Sequence, residues 1–247
     1  MIDRVRRHMR TVEPVLPSET GKRAGLAYSL WIPEKAPPRG GVVILHGAGS
    51  CKENHHDFAR AALAAGFAAV AFDLRGHGAS DGSMDDGVLE DVDAVAGLLR
   101  TAAGEDLPLA LRGSSMGGYL AILAAPVTRA SAVIAICPAS AEDLRRGLEE
   151  DTLRFEADRP ALVRLLGEHD LNEAVAALSI PLLLLHAEGD EVVPVQHSRE
   201  LADVASAAGS RLITLRGGHH RSVQHDPELR AISLRFLERG LSGRLGR

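Results

Sequence analysis

Residues Leu107 to Ala125 read LPLALRGSSMGGYLAILAA, and no other stretch constrains the fold so tightly. An apolar run of strand length, Leu107 to Leu111, meets Gly113-Ser114-Ser115-Met116-Gly117. A second apolar run follows, rich in small residues and long enough for a buried helix. The pattern is strand, abrupt turn, helix, with one serine at the apex. Glycines at 113 and 117 let the backbone fold back without a Cβ clash, so strand and helix can approach closely. G-x-S-x-G between a strand and a helix is a nucleophile elbow, with the Ser115 hydroxyl exposed in a strained turn. The bare string is a weak signal, and a turn serine or helix N-cap reads the same way.

The flanking sequence supplies the context. Val42 to Leu45, Phe67 to Phe72, Ala132 to Ile136, Pro181 to Leu185 and Arg211 to Leu215 are short continuous apolar runs, as in strands buried on both faces of a parallel sheet. Helical patterns lie between them: Asn54 to Ala65, with Asn54 as N-cap and Gly66 as stop; Asp85 to Arg100; and Gln196 to Ala208. Asp226-Pro227 opens a last helix to about Arg239, with a frayed tail GLSGRLGR. Two early strands, Val12 to Leu16 and Leu26 to Ile32, are expected to pair as an antiparallel edge. Between Ala139 and Ser179 the strand signal stops, and Glu, Arg and Leu recur at helical spacing. Pro160 divides that region, which reads as two or three short helices inserted over the sheet.

Strands alternating with helices imply an α/β domain with a mostly parallel sheet and helices on both faces. Such sheets place their sites at the carboxyl ends of the strands. Here those ends carry His46-Gly47, Asp73, Ser115, Asp190 and His219-His220.

Composition excludes several other functions. The 247 residues are 45% hydrophobic and 25% charged with net charge −5, and no long run of one sign suggests a nucleic-acid surface. No apolar stretch is long enough to span a bilayer. MIDRVRRHMRTVEP lacks an apolar h-region, so no signal peptide is expected and a cytoplasmic location is. Cys51 and Cys137 have no C-x-x-C spacing and read as incidental thiols in a reducing compartment.

A serine hydroxyl is a weak nucleophile until a base accepts its proton. Imidazole suits that task, and a carboxylate fixes its tautomer. The chain supplies these groups in the order Ser115, Asp190, His220, which matches the α/β-hydrolase order.

From about Leu26 to Arg239 the sequence resembles the α/β-hydrolase superfamily, serine-esterase and lipase-like. The residues that carry the resemblance are HGAGS at 46–50, DLRGHGAS at 73–80, GSSMGG at 113–118, HAEGDEVVP at 186–194 and GGHH at 217–220. It implies one hydrolase domain over 1–247, with a short helical cap at about 139–179. Asp190 matches the family's acid; Ala187 stands where the family usually has glycine. The base falls three residues after a glycine, which favours His220 over its neighbour His219. Ala48 and Met116 are the implied backbone donors of an oxyanion hole, with His46 holding the first of those loops. Asp73, Arg75 and His77 read as structural. His46, His55 and His56 lack a recognisable metal-ligand spacing, so neither metal nor cofactor is expected.

The implied activity is cleavage of a carboxylic ester on a small-molecule acyl substrate, through an acyl-enzyme intermediate, with Leu side chains and Phe155 of the cap forming an acyl pocket. Thioester or amide cleavage, acyl transfer and perhydrolysis would use the same residues. A slow-turnover receptor on a hydrolase scaffold is the reading from another class. A homodimer is compatible with the sequence.

Overall fold

The structure, a computed structural model, describes residues 13–242. Among the described residues eight strands form one sheet, in the order β1-β2-β4-β3-β5-β6-β7-β8. These are β1 (Glu19–Arg23), β2 (Leu26–Trp31), β3 (Gly41–Leu45), β4 (Ala68–Phe72), β5 (Leu109–Ser114), β6 (Ala132–Ile136), β7 (Leu182–Ala187) and β8 (Arg211–Leu215). From β4 to β8 every pairing is parallel; β1 and β2 add antiparallel. The chain leaves β3 for β4 on one side and returns to β5 on the other. That reversal opens a crevice at the carboxyl ends of β3 and β5.

The edge strand differs from the sequence expectation. Glu13 to Pro17 forms no strand, and Val12 lies outside the described residues. Pro14 and Pro17 offer no N–H to a ladder. The edge is instead Glu19–Arg23, joined to β2 by a two-residue hairpin turn at Ala24 and Gly25. Both have positive φ, 51° and 82°, which suits the right-handed twist of the strands it joins.

Helices cover both faces: α1 (His56–Ala64), α2 (Val88–Ala103), α3 (Met116–Ala124), α4 (Ala141–Glu149), α5 (Arg159–Glu168), α6 (Leu171–Ala177), α7 (Val195–Val204) and α8 (Pro227–Leu241). Several begin or end away from the predicted boundaries. Asn54 does not cap α1: a 3-10 turn over Lys52–His55 precedes that helix, and the Asn54 amide donates to Ser50 Oγ. Helix α2 starts at Val88, because the Asp85 carboxylate accepts from Gly87 N and holds a turn there. Helix α7 stops at Val204. Helix α8 runs past Arg239, since Leu241 is buried and holds the last turn down; residues 243–247 lie outside the described residues. The region after β6 forms three helices, capped by Ser140, Asp158 and Asp170, with Pro160 in the first turn of α5.

Strand side chains alternate between two apolar layers. Val43, Leu45 and Leu111 face α2 and α3, whereas Val42, Ile44 and Ala110 face Phe58 of α1 and Phe236 of α8. Helix α3 is buried on every side, which is why its sequence has no polar face. The segment before α5 adds a parallel bridge, Met84 to Ala157, that ties it to the loop after β4.

Candidate active site

The elbow forms where the sequence places it. Ser115 follows β5 and holds the N-cap position of α3 with φ 53° and ψ −121°, a region costing roughly 1–3 kcal/mol for a residue with a Cβ. The surroundings hold it there. Ser115 N donates to Ile136 O at 2.9 Å, and Ser115 O accepts from Gly118, Tyr119 and Ala139 N–H groups. A Cβ on Gly113 would lie 1.9 Å from Gly117 O, and one on Gly117 would lie 2.5 Å from His46 O. No larger residue fits either position without moving β5, α3 or the loop after β3. Ser114, beside it, is the last residue of β5, paired with Ile136.

Ser115 opens onto a cleft of about 570 Å³ whose wall includes Gly47, Ala48, His219, His220 and Gln224. Asp190 lies in the turn after β7 with its side chain fully buried. Its Oδ1 accepts from Val192 N at 2.9 Å and Val193 N at 2.8 Å, and its Oδ2 from His220 Nδ1 at 2.8 Å. Burial alone would raise the Asp190 carboxyl. The donors on it (His186, His220 and the two amides) outweigh burial and hold it well below the usual carboxylate range.

The two histidines differ. His220 reaches Asp190 through Nδ1, which leaves Nε2 for the cleft. His219 is exposed, and its backbone N–H donates to Ser222 Oγ. Among the described residues no hydrogen bond joins Ser115 Oγ to His220; such contacts are often long before substrate arrives.

His46 is fully buried: Nδ1 donates to Gly47 O at 2.8 Å and Nε2 accepts from Leu74 N at 3.0 Å. Those partners fix one neutral tautomer and tie the loop carrying Ala48 to the loop after β4. Burial lowers its pKa to about 4. Ala48 lines the cleft, and Met116 follows Ser115 as the first residue of α3.

The DLRGHGAS turn is scaffolding. The buried Asp73 carboxylate accepts from Lys52 N, Lys52 Nζ and Ala79 N, all within 2.9 Å. Arg75 grips Asp91 through two nitrogens. The His77 ring stacks on Phe155 at 4.4 Å, joining this turn to the segment before α5. An apolar hollow beneath α4 and α5, lined by Met84, Met116, Tyr119, Leu153 and Phe155 among others, has room for about 20 Å³. That is about the volume one water needs. Leu153 lines both this hollow and the cleft.

Three residues near the site were given no role by the sequence: Arg112 and Cys137 lie outside the motifs, and His186 opens HAEGDEVVP. Arg112 on β5 is 1% exposed; its guanidinium lies 4.0 Å from the Phe58 ring centre and donates to Gln224 O. Burial lowers its pKa to about 10. Cys137 and His186 border Asp190, and burial together with that carboxylate pushes the Cys137 thiol up. Cys137 immediately follows β6 and His186 lies within the end of β7, positions that could have drawn notice. Cys137, Asp190 and His220 also lie close enough to be considered as metal ligands. The 2.8 Å between Asp190 and His220 is a hydrogen bond, shorter than the roughly 3.3 Å between two ligands of a tetrahedral zinc. Among the described residues no helix is long and apolar enough to cross a membrane.

A family model described as serine aminopeptidase, S33, matches residues 36–165. The chain is 27% identical to a monoacylglycerol lipase of Mycolicibacterium smegmatis over 84% of its own length and 89% of the relative's. The fold is similar to the crystal structure of a Paleococcus ferrophilus monoacylglycerol lipase (TM-score 0.67, 21% identity, 89% of this chain and 99% of that one). It is also similar to Est1E of Butyrivibrio proteoclasticus, solved with ferulic acid bound (TM-score 0.71, 20% identity, 91% and 100%).

Proposed function

The chain belongs to the α/β-hydrolase family described as serine aminopeptidase, S33, and from that premise we propose that it hydrolyses carboxylic esters with Ser115 as nucleophile. The observation that carries the reading is the Asp190–His220 hydrogen bond at 2.8 Å on the cleft that Ser115 enters.

Ser115 Oγ attacks the ester carbonyl and its proton passes to His220 Nε2. Asp190 keeps the His220 ring in the tautomer with Nδ1–H and stabilises the imidazolium. The oxyanion forms against the backbone N–H groups of Ala48 and Met116. The intermediate collapses, His220 protonates the departing alcohol, and Ser115 is left acylated. Water then attacks the acyl carbon, His220 takes the water's proton, and the carboxylic acid leaves as Ser115 recovers its hydrogen.

Helices α4 to α6 act as a cap. The acyl chain lies in the cleft against Ile136 and Leu153, beside the small apolar hollow beneath the cap, and the polar wall around Asn54, Ser222 and Gln224 receives the alcohol. A monoacylglycerol has those two halves, which accords with the two lipase relatives. Ester is favoured over aminopeptidase chemistry by the cleft lining: among the described residues it includes no Asp or Glu to meet a free α-ammonium group.

The test is steady-state hydrolysis of p-nitrophenyl esters and monoacylglycerols by the wild type and Ser115→Ala. Turnover by the first and its loss in the second is expected. A single burst without turnover would favour the receptor reading.

A further inference from the structure

Asp190 lies between two histidines. Besides His220, its Oδ2 lies 3.3 Å from Nε2 of His186, a side chain with no exposure. The same Nε2 is 2.9 Å from Val193 O, and His186 Nδ1 is 2.7 Å from Ser198 Oγ on α7. A carbonyl and a carboxylate oxygen can only accept, so Nε2 carries a hydrogen. That hydrogen bonds Val193 O, and its positive edge faces Asp190.

The arrangement closes a ring of contacts. Val193 N donates to Asp190 Oδ1, and Val193 O accepts from His186. The two backbone amides pin only Oδ1. Torsion about the Asp190 Cβ–Cγ bond is intrinsically broad, so Oδ2 needs a second restraint to stay aimed at His220. His186 stands on that side of the carboxylate, and Ser198 holds the imidazole by its far nitrogen.

We propose that His186 is a positioning residue for the Asp190–His220 pair, held in place by Ser198; the proposal rests on the hydrolase reading above. It touches no reacting atom. It fixes the turn over 190–193 through Val193 and keeps Oδ2 on the line to His220 Nδ1.

The experiment compares the full chain carrying His186→Gln, His186→Leu or Ser198→Ala with the wild type. Circular dichroism follows the fold, p-nitrophenyl butyrate gives kcat and KM, and proton NMR follows the downfield His220 Nδ1–H, assigned by its loss in His220→Ala. His186→Leu is expected to lower kcat about 10- to 100-fold, the scale of a small misplacement of reacting groups, with KM nearly unchanged. The downfield resonance should broaden or disappear. His186→Gln, which keeps a donor near Nε2, should recover most of both readouts. Ser198→Ala should show the same signature more weakly, and it carries the test if His186→Leu does not fold.

A folded His186→Leu with wild-type kcat and an intact resonance overturns the proposal. So does a Gln variant no better than Leu, or, where His186→Leu fails to fold, a Ser198→Ala protein unchanged in both. Wild-type protein without ester turnover would overturn the hydrolase reading instead. The resonance in wild type and variants still reports on positioning in that event.

Discussion

Asp190 and His220 are 30 residues apart in sequence and 2.8 Å apart in space. The parallel register of β7 and β8, with Ala187 opposite Leu215, starts both loops from the same level. The carboxylate is fully buried and met by donors on both oxygens, whereas the imidazole keeps an edge on the cleft.

His220→Ala should therefore reduce ester turnover by about 10³-fold or more, the scale expected for loss of a general base. His219→Ala should stay within about 3-fold of wild type, because a side chain without a bond to the acid supplies no oriented base. Steady-state kinetics on both variants checks this, and the reverse ranking would move the base by one residue.

Ser115 has a positive φ of 53°, where a Cβ is strained. Ser115→Gly should be inactive and more stable than the equally inactive Ser115→Ala by about 1 kcal/mol, through relief of that strain. Urea denaturation of the two variants measures the difference. Equal midpoints would show that the turn is not strained as its geometry implies.

Leu153 lies between the cleft and an apolar hollow with room for about 20 Å³. Leu153→Ala should shift preference toward longer acyl chains, raising kcat/KM for a C10 relative to a C4 ester by roughly 5-fold, within the range that a few methylenes command in a pocket. A panel of p-nitrophenyl esters of graded length reads the shift. A uniform change at every length would place the acyl chain elsewhere.

His46 is buried as the neutral tautomer, with a pKa lowered by burial to about 4 from an ordinary 6.5. Between those values the unfolded chain binds more protons than the native one, so stability rises with pH across that window. The full contribution is present above pH 6.5 and is lost as pH falls to 4. It amounts to about 3 kcal/mol, and His55 and His77, also lowered by burial, add in the same direction. Denaturation midpoints measured from pH 7 to pH 4 should fall, and His46→Gln should flatten the slope. A wild-type slope that is flat across that window would contradict the buried neutral histidine.

The parallel strands were legible because each is a continuous apolar run, and the elbow because its two glycines have no substitute. The edge strand was misplaced because Glu19–Arg23 is exposed throughout and has no apolar alternation, while Val15 and Leu16, which suggested a strand, are also exposed. The surroundings of Asp190 were legible only in part: His186, Val192 and Val193 share its motif, but Cys137 does not. Cys137 N bonds Leu185 O, and Val133 to Ile136 pair with Leu182 to Leu185. That register brings Cys137 to Asp190, and a strand register is not encoded in the spacing of any motif.

The proposed function requires Ser115 to be the nucleophile. Its most direct test is labelling of the folded chain with a fluorophosphonate, followed by mass spectrometry of the modified peptide. One covalent adduct is expected, on Ser115, absent from Ser115→Ala and strongly slowed in His220→Ala. An adduct on another residue, or ester turnover by a protein that Ser115→Ala leaves fully active, would contradict it.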